Sequence, residues 1–143
     1  TRPALAAEGV ELDFWKIAAR PGKPVMFGRR GAVAAIGLPG NPVSSLVSAL
    51  LYLAPLLRAS LGRADVLPRL EGGRLAVAMP ANDFRRDFVR GRVEDGPDGP
   101  LVRPLGNQDS SLLSMLARAE VLIVRAENAP AAAAGERVAF IRL

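Results

Sequence analysis

Gly37-Leu38-Pro39-Gly40-Asn41-Pro42-Val43-Ser44-Ser45 decides how the first part of this chain is read. Residues 32–38 form an apolar run that reads as a buried strand, and residues 43–60 read as a helix. The quoted segment is the bend between them. Unpaired N–H groups at a helix start, together with the helix dipole, favour an anion. Glycine lets the backbone approach a ligand closely, and the prolines stiffen the bend. Ser44 and Ser45 can donate to oxygens. The spacing matches neither the Walker phosphate loop nor the dinucleotide fingerprint. A rigid strand-to-helix connection that binds nothing explains the same residues.

The helix after the bend carries Val43, Leu46, Val47, Leu50, Leu51, Leu53, Leu56 and Leu57 around most of its circumference. Such a helix is expected to be buried on several sides. Pro55 should kink or divide it. Its apolar stretch, 46–57, is read as too short to cross a bilayer. Upstream, 3–8 reads as a short helix ending at Gly9, 10–17 as a strand and 25–28 as a short strand. Ala18-Ala19-Arg20-Pro21-Gly22-Lys23-Pro24 is a second rigid loop, with Lys16, Arg20 and Lys23 beside or within it. If the two loops share one edge, cations and helix start converge on a ligand.

Charge supports that convergence. The 143 residues carry a net charge of +5. Residues 1–64 hold eight basic and three acidic side chains, and residues 65–143 hold eleven of each, so the excess lies in the first part. That favours an anionic ligand there, or a basic solvated surface. Lys16 and Lys23 are the chain's two lysines, and all its other basic residues are arginines. There is no cysteine and no histidine, which excludes disulfides, thiolate zinc sites and Ser-His or Cys-His catalysis within the chain.

Residues 63–73 read as a linker, after which short strands follow at 74–79, 88–94, 101–104, 121–125 and 137–142. Gly96-Pro97-Asp98-Gly99 marks a hairpin turn between the second and third of these. A short helix is expected at 110–118, capped by Asp109 or Ser110, and an alanine-rich loop at 130–135. This pattern predicts a small barrel or sandwich. The first part has too few elements to cover its own sheet. That shortage, and a start at Thr1 inside a helix signal, lead us to expect a fragment or tight association with another chain.

Four segments together resemble one family. Phe14-Trp15-Lys16-Ile17-Ala18-Ala19-Arg20-Pro21-Gly22-Lys23-Pro24 is similar to F-x-K-V-A-x-K-P-G-K-P, and residues 37–44 to G-L-P-G-N-P-V-S. Phe88-Val89-Arg90-Gly91 is similar to F-x-R-(G/A). The run from Gly106 through Gln108, Ser110 and Ser111 to Leu116 is similar to G-x-Q-G-S-x-x-x-x-S-L. The chain thus resembles the C-terminal portion of the molybdopterin molybdenumtransferases, the MoeA and gephyrin E-domain family.

The resemblance implies an α/β partial three-layer, MogA-like, molybdopterin-binding subdomain over 1–64. It implies a small all-β barrel domain over 65–143. It also implies insertion of molybdate into adenylylated molybdopterin with release of AMP, assisted by magnesium, in a cytoplasmic homodimer. Lys16 matches an active-site lysine, Arg20 stands where the family has another lysine, and Lys23 matches the lysine of the P-G-K-P turn. Pro39, Gly40, Asn41, Pro42 and Ser44 match the loop near bound pterin or molybdate. Arg90 and Ser110 match barrel residues at the molybdate pocket. Asp109 replaces a usual glycine, and Glu120 a common asparagine. The magnesium ligands and an acidic G-G-x-S-x-G segment belong to upstream parts, so this chain is expected to be incomplete and inactive alone. A gephyrin-type scaffold that binds a peptide is the non-enzymatic alternative. Nucleic-acid binding is disfavoured by scarce aromatics and an apolar helix, and no membrane partner is expected.

Overall fold

The computed structural model describes residues 2–106, 108 and 113–143. Helix α1 (Arg2–Ala7) leads into strand β1 (Glu11–Phe14), followed by β2 (Ala19–Arg20), β3 (Met26–Arg30) and β4 (Val33–Gly37). Strands β1, β3 and β4 form an antiparallel sheet in that order. The register slips between Leu12 and Phe14, which shortens the strand expected over 10–17.

This arrangement corrects the expectation of a layered α/β subdomain over 1–64. The turn between Arg30 and Val33 is so short that β3 and β4 must run antiparallel, whereas a parallel layer needs a long crossover. The run 32–38, read as buried, lies at the edge of this sheet, with Val33 62% exposed.

The helix after β4 has three stretches. Helix α2 (Pro42–Ser48) passes through a π-helical turn, Ala49–Leu53, into helix α3 (Ala54–Ser60). Within the turn Ala54 N–H donates to Ala49 O, five residues back. The widened turn leads directly to Pro55, which has no N–H to give and whose ring would clash in a regular helix interior. The break expected at Pro55 is thus a π-turn. Val43, Ser44, Val47 and Ser48 are buried, while Leu46, Leu50 and Leu57 are exposed. The helix is therefore buried along one side rather than on several. By length and composition alone its 19 residues could cross a membrane.

The second part is a barrel. Strand β5 (Glu71–Leu75) is followed by β6 (Arg86–Gly96), β7 (Gly99–Pro104), helix α4 (Leu113–Ala117), β8 (Val121–Arg125) and β9 (Arg137–Arg142). The sheet order is β2-β6-β7-β5-β9-β8, and β6 also pairs with β8, which closes the ring. One long strand does this by sharing its length: residues 87–91 of β6 face β8, and residues 91–96 face β7. The expected turn is present, with Gly96 opposite Gly99. Strand β5 starts earlier than the expected 74–79 because Glu71, Gly72 and Gly73 already pair with β9.

Alternation along β8 explains why nearly all of it is buried. Val121 and Ile123 join Leu75, Val89, Val102 and Phe140 in the barrel interior. Leu122 points outward to Ala19, Val43, Val47, Phe88 and Leu116. This second cluster lies across the boundary expected at residues 64/65. It seats α2 and α4 on the barrel wall, with β2 added to β6 in parallel beside it.

Candidate functional site

Where the 20–24 loop and α2 meet the barrel lies a cavity of about 830 Å³. Among the described residues its walls include Arg20, Lys23, Arg85, Arg90 and Arg125 and one carboxylate, Asp87, with Asp83 beside the wall and paired to Arg20 and Arg85. Five cations around one concavity create a field that concentrates anions.

Arg20 is anchored to the barrel by its whole guanidinium. Its Nη2 donates to Asp87 Oδ2 at 2.6 Å and to Asn82 Oδ1 at 3.1 Å. Its Nε donates to Asp87 Oδ2 at 3.1 Å, and its Nη1 to Asp83 Oδ2 at 3.3 Å. The bond to Asp87 holds the Arg20 guanidinium above its ordinary pKa. Asp83 is also bound by Arg85, whose Nη2 lies 2.6 Å away and whose N–H donates at 2.9 Å. Those bonds from Arg85 hold the Asp83 carboxyl down at about 2.

The main chain follows the same path. Arg86 N–H donates to Ala18 O at 2.9 Å, and Ile17 N–H to Lys23 O at 3.0 Å. The Arg20-Pro21 peptide bond is cis. Gly22 has φ +113° and lies against Ser48: a Cβ there would come within 2.5 Å of Ser48 Oγ. Only glycine tolerates both that conformation and that approach. Lys23 is exposed at the cavity and makes no ion pair among the described residues.

On the barrel side, Arg90 is 1% exposed. Its N–H donates to Gln108 Oε1 at 2.9 Å, and its carbonyl accepts from Gln108 Nε2 at 3.0 Å. The Gln108 amide thus imitates a rung of sheet against β6. Arg125, also buried, donates to the carbonyls of Pro80 and Pro130.

The expected site residues are only partly gathered here. Arg20, Lys23, Ser44 and Arg90 line the cavity. Lys16 does not: it is exposed, with Nζ 3.9 Å from the centre of the Trp15 ring, which Arg2 also approaches. Pro39, Gly40, Asn41 and Pro42 are also absent from the wall. The free amides expected at the helix start are largely used. Pro42 has none, and Ser44 N–H donates to Asn41 Oδ1 at 3.2 Å, an ordinary N-cap. Ser110 and Asp109 lie outside the described residues. The two bends therefore share a cavity through Lys23 and Ser44 rather than through Asn41.

Asn82, Asp83, Arg85, Asp87, Gln108 and Arg125 were not expected. The density of charge in Asp83-Phe84-Arg85-Arg86-Asp87 and the glutamine of the quoted motif were the available signals. Among the described residues, no three or more acidic side chains converge in a way that could hold a metal. Asp83 and Asp87 are already engaged by arginines. The described residues do not fit a magnesium site.

Comparison with known proteins bears on the family and the fold. The MoeA C-terminal region (domain IV) matches residues 72–143. A molybdopterin molybdenumtransferase of Haemophilus influenzae is 32% identical over 137 residues, covering 90% of this chain and 32% of that protein. The molybdenum cofactor synthesis protein cinnamon of Drosophila melanogaster is 36% identical over 124 residues, covering 82% and 20%. The solved molybdopterin biosynthesis moea protein from Pyrococcus horikosii superposes with a TM-score of 0.78 at 27% identity, covering 98% of this chain and 34% of that one. The chain thus spans about a third or less of these relatives' length. Matched along its barrel by the family's domain IV, and over nearly all its length by these relatives, this chain belongs to the MoeA family and corresponds to its C-terminal portion.

Proposed function

We propose that this chain supplies part of the active site of a molybdopterin molybdenumtransferase, which inserts molybdate into adenylylated molybdopterin and releases AMP. The cavity would receive an anionic part of that substrate pair, either the molybdate oxyanion or a phosphate. The observation that carries this reading is that, among the described residues, five cations line one concavity against two carboxylates, Asp87 on the wall and Asp83 beside it, with Lys23 paired to neither.

Each group has a role that its geometry allows. Lys23 is exposed at the cavity and free of carboxylates among the described residues, so its ammonium can neutralise an oxyanion directly. Ser44 offers a hydroxyl from α2. Arg90, held by Gln108 through its main chain, contributes fixed positive charge from the wall. These are electrostatic and positioning contributions, which act on charge already placed in the cavity. Lys16 and the 39–42 bend lie off the wall, so on this reading they meet a different portion of the substrate. Ser110 retains the role implied by the resemblance. A homodimer, a cytoplasmic location and magnesium ligands in other parts of the protein follow from the family reading alone.

Calorimetric titration of the chain with sodium molybdate, and separately with AMP, tests the proposal. Replacing Lys23 by Ala should weaken binding about tenfold, the usual consequence of losing one charge-assisted contact. Arg137→Ala, on a groove elsewhere on the barrel, should change nothing. No binding of either anion by the wild-type chain, or equal affinity in the Lys23 variant, would overturn the reading.

A further inference from the structure

We propose that Arg20 is a positioning residue: Asp87, Asp83 and Asn82 draw its guanidinium onto the barrel and so set the Pro21-Gly22-Lys23 turn with Lys23 facing the cavity. This rests on the reading of the cavity as an anion site.

Strand β2 has only two residues, paired at Ala19–Arg86 and Arg20–Asp87. So short a pairing holds a segment poorly by itself. The Arg20 side chain adds bonds to three acceptors that lie 62 to 67 residues away in sequence. Those acceptors are themselves fixed. Asn82 Nδ2 donates to Arg85 O at 2.7 Å and to Ala126 O at 2.8 Å, and Asp83 Oδ1 accepts from Arg85 N–H. The barrel therefore presents a rigid receptor for the planar fork. An ammonium could not span it, because a lysine offers one point of charge rather than donors spread over a plane.

The same bonds spend the Arg20 charge on two carboxylates, leaving Lys23 as the cation of this loop that can meet a ligand. The displacement from clasp to ligand is small along the chain. Arg20 is three residues from Lys23, and Ile17 N–H closes the loop onto Lys23 O. Fixing Arg20 on one side and Ile17 on the other fixes where Lys23 projects.

Arg20→Gln, Arg20→Lys, Asp87→Ala and the Arg20→Gln/Asp87→Ala double variant of this chain separate the possibilities. Amide hydrogen exchange is read at Ile17 and Arg86, with Ile123 in the barrel core as the folding control. Calorimetric titration with molybdate is run in parallel. The clasp predicts faster exchange at Ile17 and Arg86 in every variant, with Ile123 unchanged. It predicts molybdate affinity about three- to tenfold weaker in each single variant, no rescue by lysine, and no further loss in the double variant. Unchanged exchange at both amides would overturn the clasp. So would tighter or equal molybdate binding in Asp87→Ala alongside abolished binding in Arg20→Gln, since Arg20 would then touch the anion itself. Failure of the wild-type chain to bind molybdate would undo the functional reading, and the exchange comparison would still judge the clasp.

Discussion

Replacing Gly22 by alanine tests how the 20–24 loop is seated on α2. Two separate costs apply. At φ +113° an L side chain is strained, at about 1–3 kcal/mol. The new Cβ would also lie 2.5 Å from Ser48 Oγ, well inside contact distance, and overpacking of this kind costs about 1–3 kcal/mol. The sum, about 2–6 kcal/mol, is a large share of an ordinary domain's stability. Ser48 separates the two terms. It is 0% exposed, and its Oγ makes no hydrogen bond among the described residues. Ser48→Ala should therefore change stability by less than about 1 kcal/mol by itself. In the Gly22→Ala/Ser48→Ala double variant the clash is gone and only the backbone strain remains, so about 1–3 kcal/mol should return. Urea unfolding followed by circular dichroism measures all four proteins, with stability read from the midpoint and slope. A double variant no more stable than Gly22→Ala, within about 0.5 kcal/mol, would mean that the loop does not rest on Ser48.

Two further predictions concern the barrel and the helix. The Asp83 carboxyl is held at about 2 by Arg85, below the ordinary aspartate value of about 3.9. Its contribution to stability is thus complete above the ordinary value and is lost as pH falls towards 2. Asp83→Asn should flatten that limb of the urea stability curve, and parallel acid limbs in wild type and variant would refute the pairing. On the helix, Leu57→Gln should cost less than about 0.5 kcal/mol, since Leu57 is 54% exposed and glutamine suits a helix. Val47→Ala, on the buried side, should cost about 1–3 kcal/mol. Equal losses at the two positions in thermal unfolding would contradict a helix buried along one side only.

The mixture of success and failure in the expected elements follows the range of the forces involved. Strands β8 and β9 were legible to the residue because their apolar runs and bounding turns are local. The Gly96–Gly99 turn was legible for the same reason. The strand expected over 74–79 was misplaced because Glu71, Gly72 and Gly73 carry little apolar pattern and are held by pairing to β9, far along the chain. The helix over 43–60 was legible as a helix. That its Leu46, Leu50 and Leu57 face outward was not, because burial depends on what lies opposite rather than on hydropathy. The expected layered sheet failed for a topological reason: a short hairpin forces antiparallel neighbours whatever the strands' composition.

Residue identity alone excluded thiol and imidazole chemistry within the chain and left two readings of its basic first part, an anion site or a solvated surface, while the family resemblance assigned Lys23 and Arg90 to motifs. These are properties of side-chain chemistry and short-range geometry, which survive without knowledge of the fold. The tertiary structure decided which cations are available. Arg20 and Lys23 differ little as charges in a sequence, yet one faces two carboxylates from the barrel and the other faces the cavity. Lys16 turns to Trp15, and Asn41 caps its own helix. A charge acts according to what lies within a few ångströms of it, and for this loop those neighbours come from more than sixty residues away.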